Sequence, residues 1–391
     1  MTSKPPFDGE VMRLGDIAKV SAGNVAPKKS AFCDSGKPFV RAGSLSGLLA
    51  GGSVQSLERI DDKTAERLGF RLFPAGTVVF AKSGMSCLKG YVYTLPEECY
   101  VVSHLACVTP SADLSKYLEH YFNYNRPNRL IENPSFPSIK LSQIEDIQIR
   151  LPEKSIRDKQ VGRLEAVIDL VDICKDAESR FDDLVKSRFV EMFGTLEHPR
   201  YTIVELQDIC AYIVDCPHET PKYDGMLEYP AIRTSELVGT TIDWSSMKYV
   251  SEEEYQRRTR RLIPQPGDIV YAREGTYGSA AILPDGYRFC LGQRTMLFRA
   301  DASVCLPQYL LFAITSPDVK GQADLLNVGS TVPHVNVKDA KRFRIPLPSL
   351  ALQREFADFA TRVDKLRVEA QVQKEKLQTL YDSLAQDYFA I

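Results

Sequence analysis

PAGTVVFAKSG at Pro74–Gly84 and PQPGDIVYAREG at Pro264–Gly275 decide how this chain is read. Gly76, Ala81, Lys82 and Gly84 in the first stretch meet Gly267, Ala272, Arg273 and Gly275 in the second at a spacing of 191 residues. A short apolar run bounded by glycine is strand and turn chemistry, and its return half a chain later says that the chain is built twice. Working outward, LGDIAKV from Leu14 returns as LQDICAY from Leu206, and VRAGSL from Val40 as IRTSEL from Ile232, both 192 residues on. LSKYL at Leu114 matches LPQYL at Leu306, and FPSIKLSQIEDIQIRLP ending at Pro152 matches VPHVNVKDAKRFRIPLP ending at Pro348. SRFDDLVKSRFVEMFG then matches QKEKLQTLYDSLAQDYFA, with Leu184 over Leu380 and Phe193 over Phe389 at a spacing of 196. Chance similarity would not keep these blocks collinear.

Within each half the texture changes once. Up to Arg150, and again from Leu196 to Ile345, short apolar runs are broken by Gly, Pro, Asn and Asp, which predicts strands and turns with a few short helices. After Pro152 and Pro348 the period becomes helical, with Ser349 a suitable N-cap for the second helix. There Leu352, Phe356, Phe359, Val363, Leu366, Ala370, Gln373, Leu377, Leu380 and Leu384 step by four and three, a coiled-coil seam. The first helix carries a weaker seam through Leu164, Val167, Val171, Cys174, Glu178, Phe181, Val185, Arg188 and Met192. Each is expected to find its partner in the other. The reading is an α+β chain: a mixed α/β lobe over 1–152, a helix over 153–194, a second lobe over 195–348 and a helix over 349–391.

Composition narrows the function classes. The 391 residues favour two or three folded units, and 49 Lys plus Arg against 51 Asp plus Glu leave a net charge of -2. Any polyanion must therefore be met by local patches. The first 150 residues hold 18 basic and 15 acidic side chains, so the lobes rather than the helices are where DNA would be touched. The longest uncharged stretches, such as Leu306 to Pro317, fall short of the ~20 apolar residues of a membrane span, and MTSKPPFDGE has no apolar signal region. A cytoplasmic location without membrane contact is expected. The nine cysteines form no C-x-x-C and are read as reduced, mostly packed thiols.

At this point the residues carry a resemblance. Two mixed lobes, each closed by Ile149-Arg150-Leu151-Pro152 or Ile345-Pro346-Leu347-Pro348 and a long helix, resemble the specificity (S) subunit of Type I restriction-modification systems. Gln353-Arg354-Glu355-Phe356 is similar to that family's lobe-to-helix junction, and GDIVYAREG at Gly267 to its hairpin ahead of a DNA-facing loop. The first copy departs: Gln160 lies eight residues after Pro152, against five from Pro348 to Gln353, so the first helix is expected to open with an irregular turn. The resemblance implies two target recognition domains held by an antiparallel helix pair, each reading half of a bipartite site in double-stranded DNA. It also implies two methyltransferase (M) subunits docked on the helices, carrying S-adenosylmethionine, and restriction (R) subunits that use ATP and Mg. The chain itself would carry no cofactor and no catalytic site.

The residues support that negative independently. The nearest approach to an adenine-methyltransferase catalytic motif is Asn133-Pro134-Ser135-Phe136, which lacks the second proline and aligns just ahead of Val332-Pro333. There is no G-x-x-x-x-G-K-[ST] phosphate cradle, and the five histidines lack metal spacing. For reading DNA, the useful side chains are cationic, amide and hydroxyl groups on loops. The candidates are Lys82, Ser83 and Gly84 in the first lobe and Arg273, Glu274, Gly275, Thr276 and Tyr277 in the second. Gln293-Arg294 stands opposite His104-Leu105, which adds Gln293, Arg294 and His104. Lys28, Lys29 and Arg41, with Arg233 in the second lobe, are candidate phosphate contacts. The run Arg257 to Arg261 fits either a phosphate grip or i,i+4 pairing on a solvated helix with Glu252 to Glu254. Trp244 is expected in the core. Two other classes remain open, a stand-alone DNA-modifying enzyme and a coiled-coil adapter whose lobes bind protein. Methylation by the purified chain would mark the first, and lack of specific DNA retention by the complex the second.

Overall fold

The computed structural model describes residues 9–225, 228–327 and 334–390. Val332 and Pro333 lie outside them. The chain divides into two compact units, one of residues 1–175 with 372–391 and one of residues 176–371.

In unit 1 the strand Val78–Ala81 is buried at all four positions, as its unbroken apolar run requires of a central strand. It pairs antiparallel with Leu105–Pro110 on one side and Val92–Thr94 on the other, and Ala18–Ala22 completes a four-stranded sheet beyond Leu105–Pro110. Lys37–Val40 lies between Arg59–Ile60, antiparallel, and Tyr100–Val101, parallel, in a second sheet. Glu10–Arg13 pairs with Gln148–Leu151 just before the long helix.

Unit 2 repeats this plan. Ile269–Ala272, also fully buried, lies between Thr295–Ala300 and Ala280–Ile282, with Cys210–Asp215 at the far edge. Tyr229–Ile232 holds Lys248–Val250 antiparallel and Cys290–Leu291 parallel, and Ile203–Glu205 pairs with Arg344–Pro346. A small ladder of Leu237–Val238 with Thr241–Ile242 is an addition of this unit. The turns entering the two central strands place Gly76 at φ +83° and Gly267 at φ +89°, which explains glycine at both. The helices Ser115–Tyr124 and Pro307–Ile314 bring Tyr117 and Tyr309 to the same task. Their hydroxyls donate to the carbonyls of Arg150 and Pro346, tying each lobe to its exit strand.

The two long helices run Lys154–Phe193 and Leu350–Phe389. Unit 1 takes the start of the first and the end of the second into its core: Leu164 packs there with Ala385, Tyr388 and Phe389, and the Phe389 ring meets Tyr117 edge-on at 5.2 Å. Unit 2 takes the converse pieces, with Val185, Phe189 and Phe193 against Phe356, Ala360 and Val363, and Phe193 meeting Tyr309 edge-on at 5.0 Å. Within each unit the helices therefore pack antiparallel.

Several expectations need correcting. The first helix begins at Lys154 without an irregular turn, and the residue five positions after Pro152, Arg157, does the work of Gln353. Arg157 Nη1 donates to Pro152 O at 3.0 Å, and Gln353 Nε2 donates to Pro348 O at 3.0 Å. Arg157 also pairs with Asp113, whereas Gln353 receives the N–H of Leu306 and donates to Val304 O. Toward the end of the first helix the buried positions are Val185, Phe189 and Phe193, not Arg188 and Met192, because the aromatic core of the lobe draws a four-residue step. Leu366 and Leu380, assigned to the second seam, are about half exposed. Trp244 is partly exposed against Tyr287, with ring centroids 4.7 Å apart. All nine cysteines are free thiols, and burial pushes that of Cys107 up to about 12.

Candidate nucleic-acid interface

Where the quoted stretches end, both units build one framework. In unit 1 the Lys82 N–H donates to His104 O at 2.9 Å, and the Ile139 N–H donates to Lys82 O at 2.8 Å. In unit 2 the Arg273 N–H donates to Arg294 O at 2.9 Å, and the Val335 N–H donates to Arg273 O at 2.9 Å. The ladders pair Ala81 with Leu105 and Ala272 with Thr295, so Arg294 stands where His104 stands. Matching Gln293-Arg294 to His104-Leu105 is one residue out: it allows unit 2 two residues fewer between these strands, whereas the ladders show one fewer, 23 residues from Ala272 to Thr295 against 24 from Ala81 to Leu105.

Each framework holds one side-chain pair across the loops. Ser83 Oγ and His104 Nδ1 are 2.9 Å apart in unit 1, and in unit 2 Glu274 Oε2 and Arg294 Nε are 3.1 Å apart at the same place. His104 and Arg294 are both exposed while Leu105 and Thr295 beside them are buried. Arg294 has φ +63°, the left-handed region, at a cost of about 1–3 kcal/mol that the surrounding hydrogen bonds must offset. Gly84 and Gly275 are also at positive φ, with open space where a side chain would begin, so their backbones are free to be approached closely.

The other candidates divide. Lys28 and Lys29 are exposed at the entry to a short 3-10 turn, and Lys82 is half-buried with no acid partner among the described residues. Gln293 is half-buried beside Arg294. Arg41 lies over the Phe32 ring at 4.9 Å and pairs with Glu58 at 2.9 Å. Arg233, its repeat partner, is turned inward: its backbone N–H and Nε donate to Glu236 Oε2 at 2.8 and 3.1 Å. Burial works to raise the Glu236 carboxyl, but hydrogen bonds from Arg233 and Ser235 outweigh it and hold it low. Thr276 Oγ1 donates to Thr234 O, and the Tyr277 hydroxyl donates to Asp324, which raises the phenol above its ordinary range. Arg273 is 8% exposed, with Nη1 2.5 Å from Asp215 Oδ2, so its charge faces the protein.

The arginine run is partly structural. Arg257 pairs with Glu254 and Glu219, and Arg258 is buried with Nε on Leu291 O. Arg260 and Arg261 stay exposed without an acid partner among the described residues. All four line a cavity of about 260 Å³ beside Asp215 and Leu291. Among the described residues no cluster of His, Cys, Asp or Glu is placed to hold a metal ion, and no helix is long and apolar enough to cross a membrane.

Two copies of one mixed lobe, each completed by pieces of two long helices and each presenting the same loop framework with different side chains, define a duplicated two-lobe class. The family model described as the Type I restriction modification DNA specificity domain matches residues 6–179 and again 201–378, and the chain belongs to that family. Over 162 residues, 39% of this chain, it is 31% identical to the Type I restriction enzyme MjaIX specificity subunit of Methanocaldococcus jannaschii, and the match spans 36% of that protein's length. Two solved structures share the fold. One, from work on complex assembly and conformational transition of the type I R-M system, has TM-score 0.62 and 16% identity and covers 99% of both chains. The other, the Type-I restriction-modification system S subunit from M. genitalium, has TM-score 0.51 and 14% identity over 100% of this chain and 98% of that one.

Proposed function

We propose that this chain is the DNA-reading subunit of a Type I restriction-modification complex, each unit reading one half of a bipartite site. The observation that carries the reading is the pair Ser83–His104 matched by Glu274–Arg294. One framework presents a hydroxyl and an imidazole in one lobe, and a carboxylate and a guanidinium in the other. These groups suit different base edges, arginine pairing best with guanine and carboxylates accepting from cytosine. Phosphates are left to cations such as Lys28, Lys29 and Lys82.

The chain performs no chemistry in this reading. Two methyltransferase subunits bring S-adenosylmethionine, and restriction subunits bring ATP and Mg. The long helices offer the docking surface, since Leu170 and Ile173 in unit 1, and Leu184, Leu366 and Val368 in unit 2, are exposed apolar side chains on them. The assembly described for a structural relative of the same fold favours such partners. The test is co-expression with Type I methyltransferase subunits from the same host, followed by direct mapping of methylated adenines. A two-part motif separated by a fixed gap, retained by the purified complex, is expected. A complex that forms but retains no specific DNA would make the lobes protein-binding modules instead, and methylation by the isolated chain would make it an enzyme.

A further inference from the structure

Among the described residues of unit 1, the three most exposed large apolar side chains are Phe136 at 80%, Val25 at 76% and Met85 at 69%. They come from three loops far apart in sequence, and all three loops are fastened to the Ser83–His104 pair. The Ser103 N–H donates to Asn24 O at 2.6 Å, one residue from Val25. The Gly84 N–H donates to Pro137 O at 3.1 Å, which joins the loop of Met85 to that of Phe136, and Ser83 bridges Ser138. Phe136 is held out stiffly: the Ser135 N–H donates to Asn133 Oδ1, the Phe136 N–H donates to Asn133 O, and Pro134 and Pro137 restrict the backbone around it. Single exposed apolar residues are ordinary, but three converging on one polar pair, beside Lys28, Lys29 and Lys82, are not.

We infer that Phe136 is a wedge that enters a base step of the half-site read by unit 1, with Val25 and Met85 as its apolar flanks. This rests on the DNA-reading function proposed above and adds distortion of the duplex to it. The occupant is DNA because the loop of Val25 carries the exposed Lys28 and Lys29, Lys82 is bonded through its carbonyl to Ile139 just beyond the Phe136 turn, and base faces accept an aromatic ring; such wedges unstack the step they enter. The same Asn133-Pro134-Ser135-Phe136 stretch that fails as a catalytic motif thus gains a role in specificity.

The experiment uses the complex of this chain with its methyltransferase subunits and duplexes carrying the motif mapped from the host's methylated adenines. 2-Aminopurine is placed in turn at each position of the half-site. With the wild-type complex one step should brighten on binding. Phe136→Ala should abolish that rise and weaken specific binding about ten-fold, leaving the salt dependence unchanged because no phosphate contact is lost. Phe136→Trp should keep both. Equal affinity and unchanged fluorescence for Phe136→Ala would overturn the wedge while the wild-type complex still retained its site. Loss of methyltransferase subunits from the Phe136→Ala complex in size-exclusion chromatography would overturn it too, making the prong a protein contact. Absence of specific retention by the wild-type complex would sink the underlying reading instead.

Discussion

Replacing Arg273 separates a structural arginine from a reading one. Its guanidinium is buried 2.5 Å from Asp215, whose side chain is 17% exposed. Arg273→Ala would leave that carboxylate without its partner, and breaking such a pair from one side costs about 3–5 kcal/mol. The partial access of the Asp215 carboxylate to water sets the expectation at the lower end, about 3 kcal/mol. For a unit of this size that is a fall of about 6–12 °C in the melting temperature of the complex. Arg273→Ala with Asp215→Asn removes the stranded charge and should recover at least half of the loss. Arg294→Ala is the contrast. Its exposed pair with Glu274 is worth less than about 1 kcal/mol, so the fold should hold, while binding to the half-site read by unit 2 weakens about 5- to 150-fold. The assays are thermal unfolding of the complex and binding to its mapped site at fixed salt. Unchanged melting of Arg273→Ala together with a ten-fold loss of binding would refute the argument and return Arg273 to the DNA.

Burial lowers the pKa of His120 from its ordinary 6.5 despite the opposing pull of Glu165, so its neutral form belongs to the fold. Stability should therefore be full above pH 6.5 and fall as the pH drops below it, and His120→Gln should flatten the difference between pH 7.5 and 5.5 in denaturation curves. Gln353→Ala strands the N–H of Leu306 and the carbonyls of Val304 and Pro348, and should cost about 2–4 kcal/mol in the same measurement. Arg260→Gln with Arg261→Gln should make the slope of log affinity against log salt shallower by about 1.8 if both meet phosphates; an unchanged slope would confine them to solvent. Four residues inserted after Lys175 and four after Gln371 add about 6 Å to each helix and nearly preserve its face, so the gap in the methylated motif should lengthen by about one or two base pairs with both half-sites intact. An unchanged gap would end the description of the helices as a spacer.

The duplication was legible because each block keeps its local chemistry. Val78–Ala81 and Ile269–Ala272 are the central strands their apolar runs predict, and LSKYL and LPQYL set Tyr117 and Tyr309 on matching helices. The equivalence of Arg157 with Gln353 was hidden because different side chains answer the same proline carbonyl. Asp215 is 58 residues from Arg273, so nothing local announced that the basic residue of the second loop turns inward. The meeting of the Val25, Met85 and Phe136 loops depends on hydrogen bonds between distant backbones, which leave no periodic trace. What did show was the polar character of Ser83, His104, Glu274 and Arg294 at loop ends, although the loop lengths differ by one residue and matching Gln293 to His104 allowed for two.

The division of the helices sets an order of assembly during synthesis. Residues 176–371 are continuous, so unit 2 has all its parts once that stretch has left the ribosome. Unit 1 does not: His120 waits for Tyr381, 261 residues downstream, and Asn125 waits for the carbonyl of Phe389. At roughly 5–20 residues per second, the missing piece follows about 10–50 s later. For that interval the nascent first lobe presents the aromatic floor of Tyr117 and Tyr121 to solvent, so the older half of the polypeptide matures last and is the half more open to misassociation.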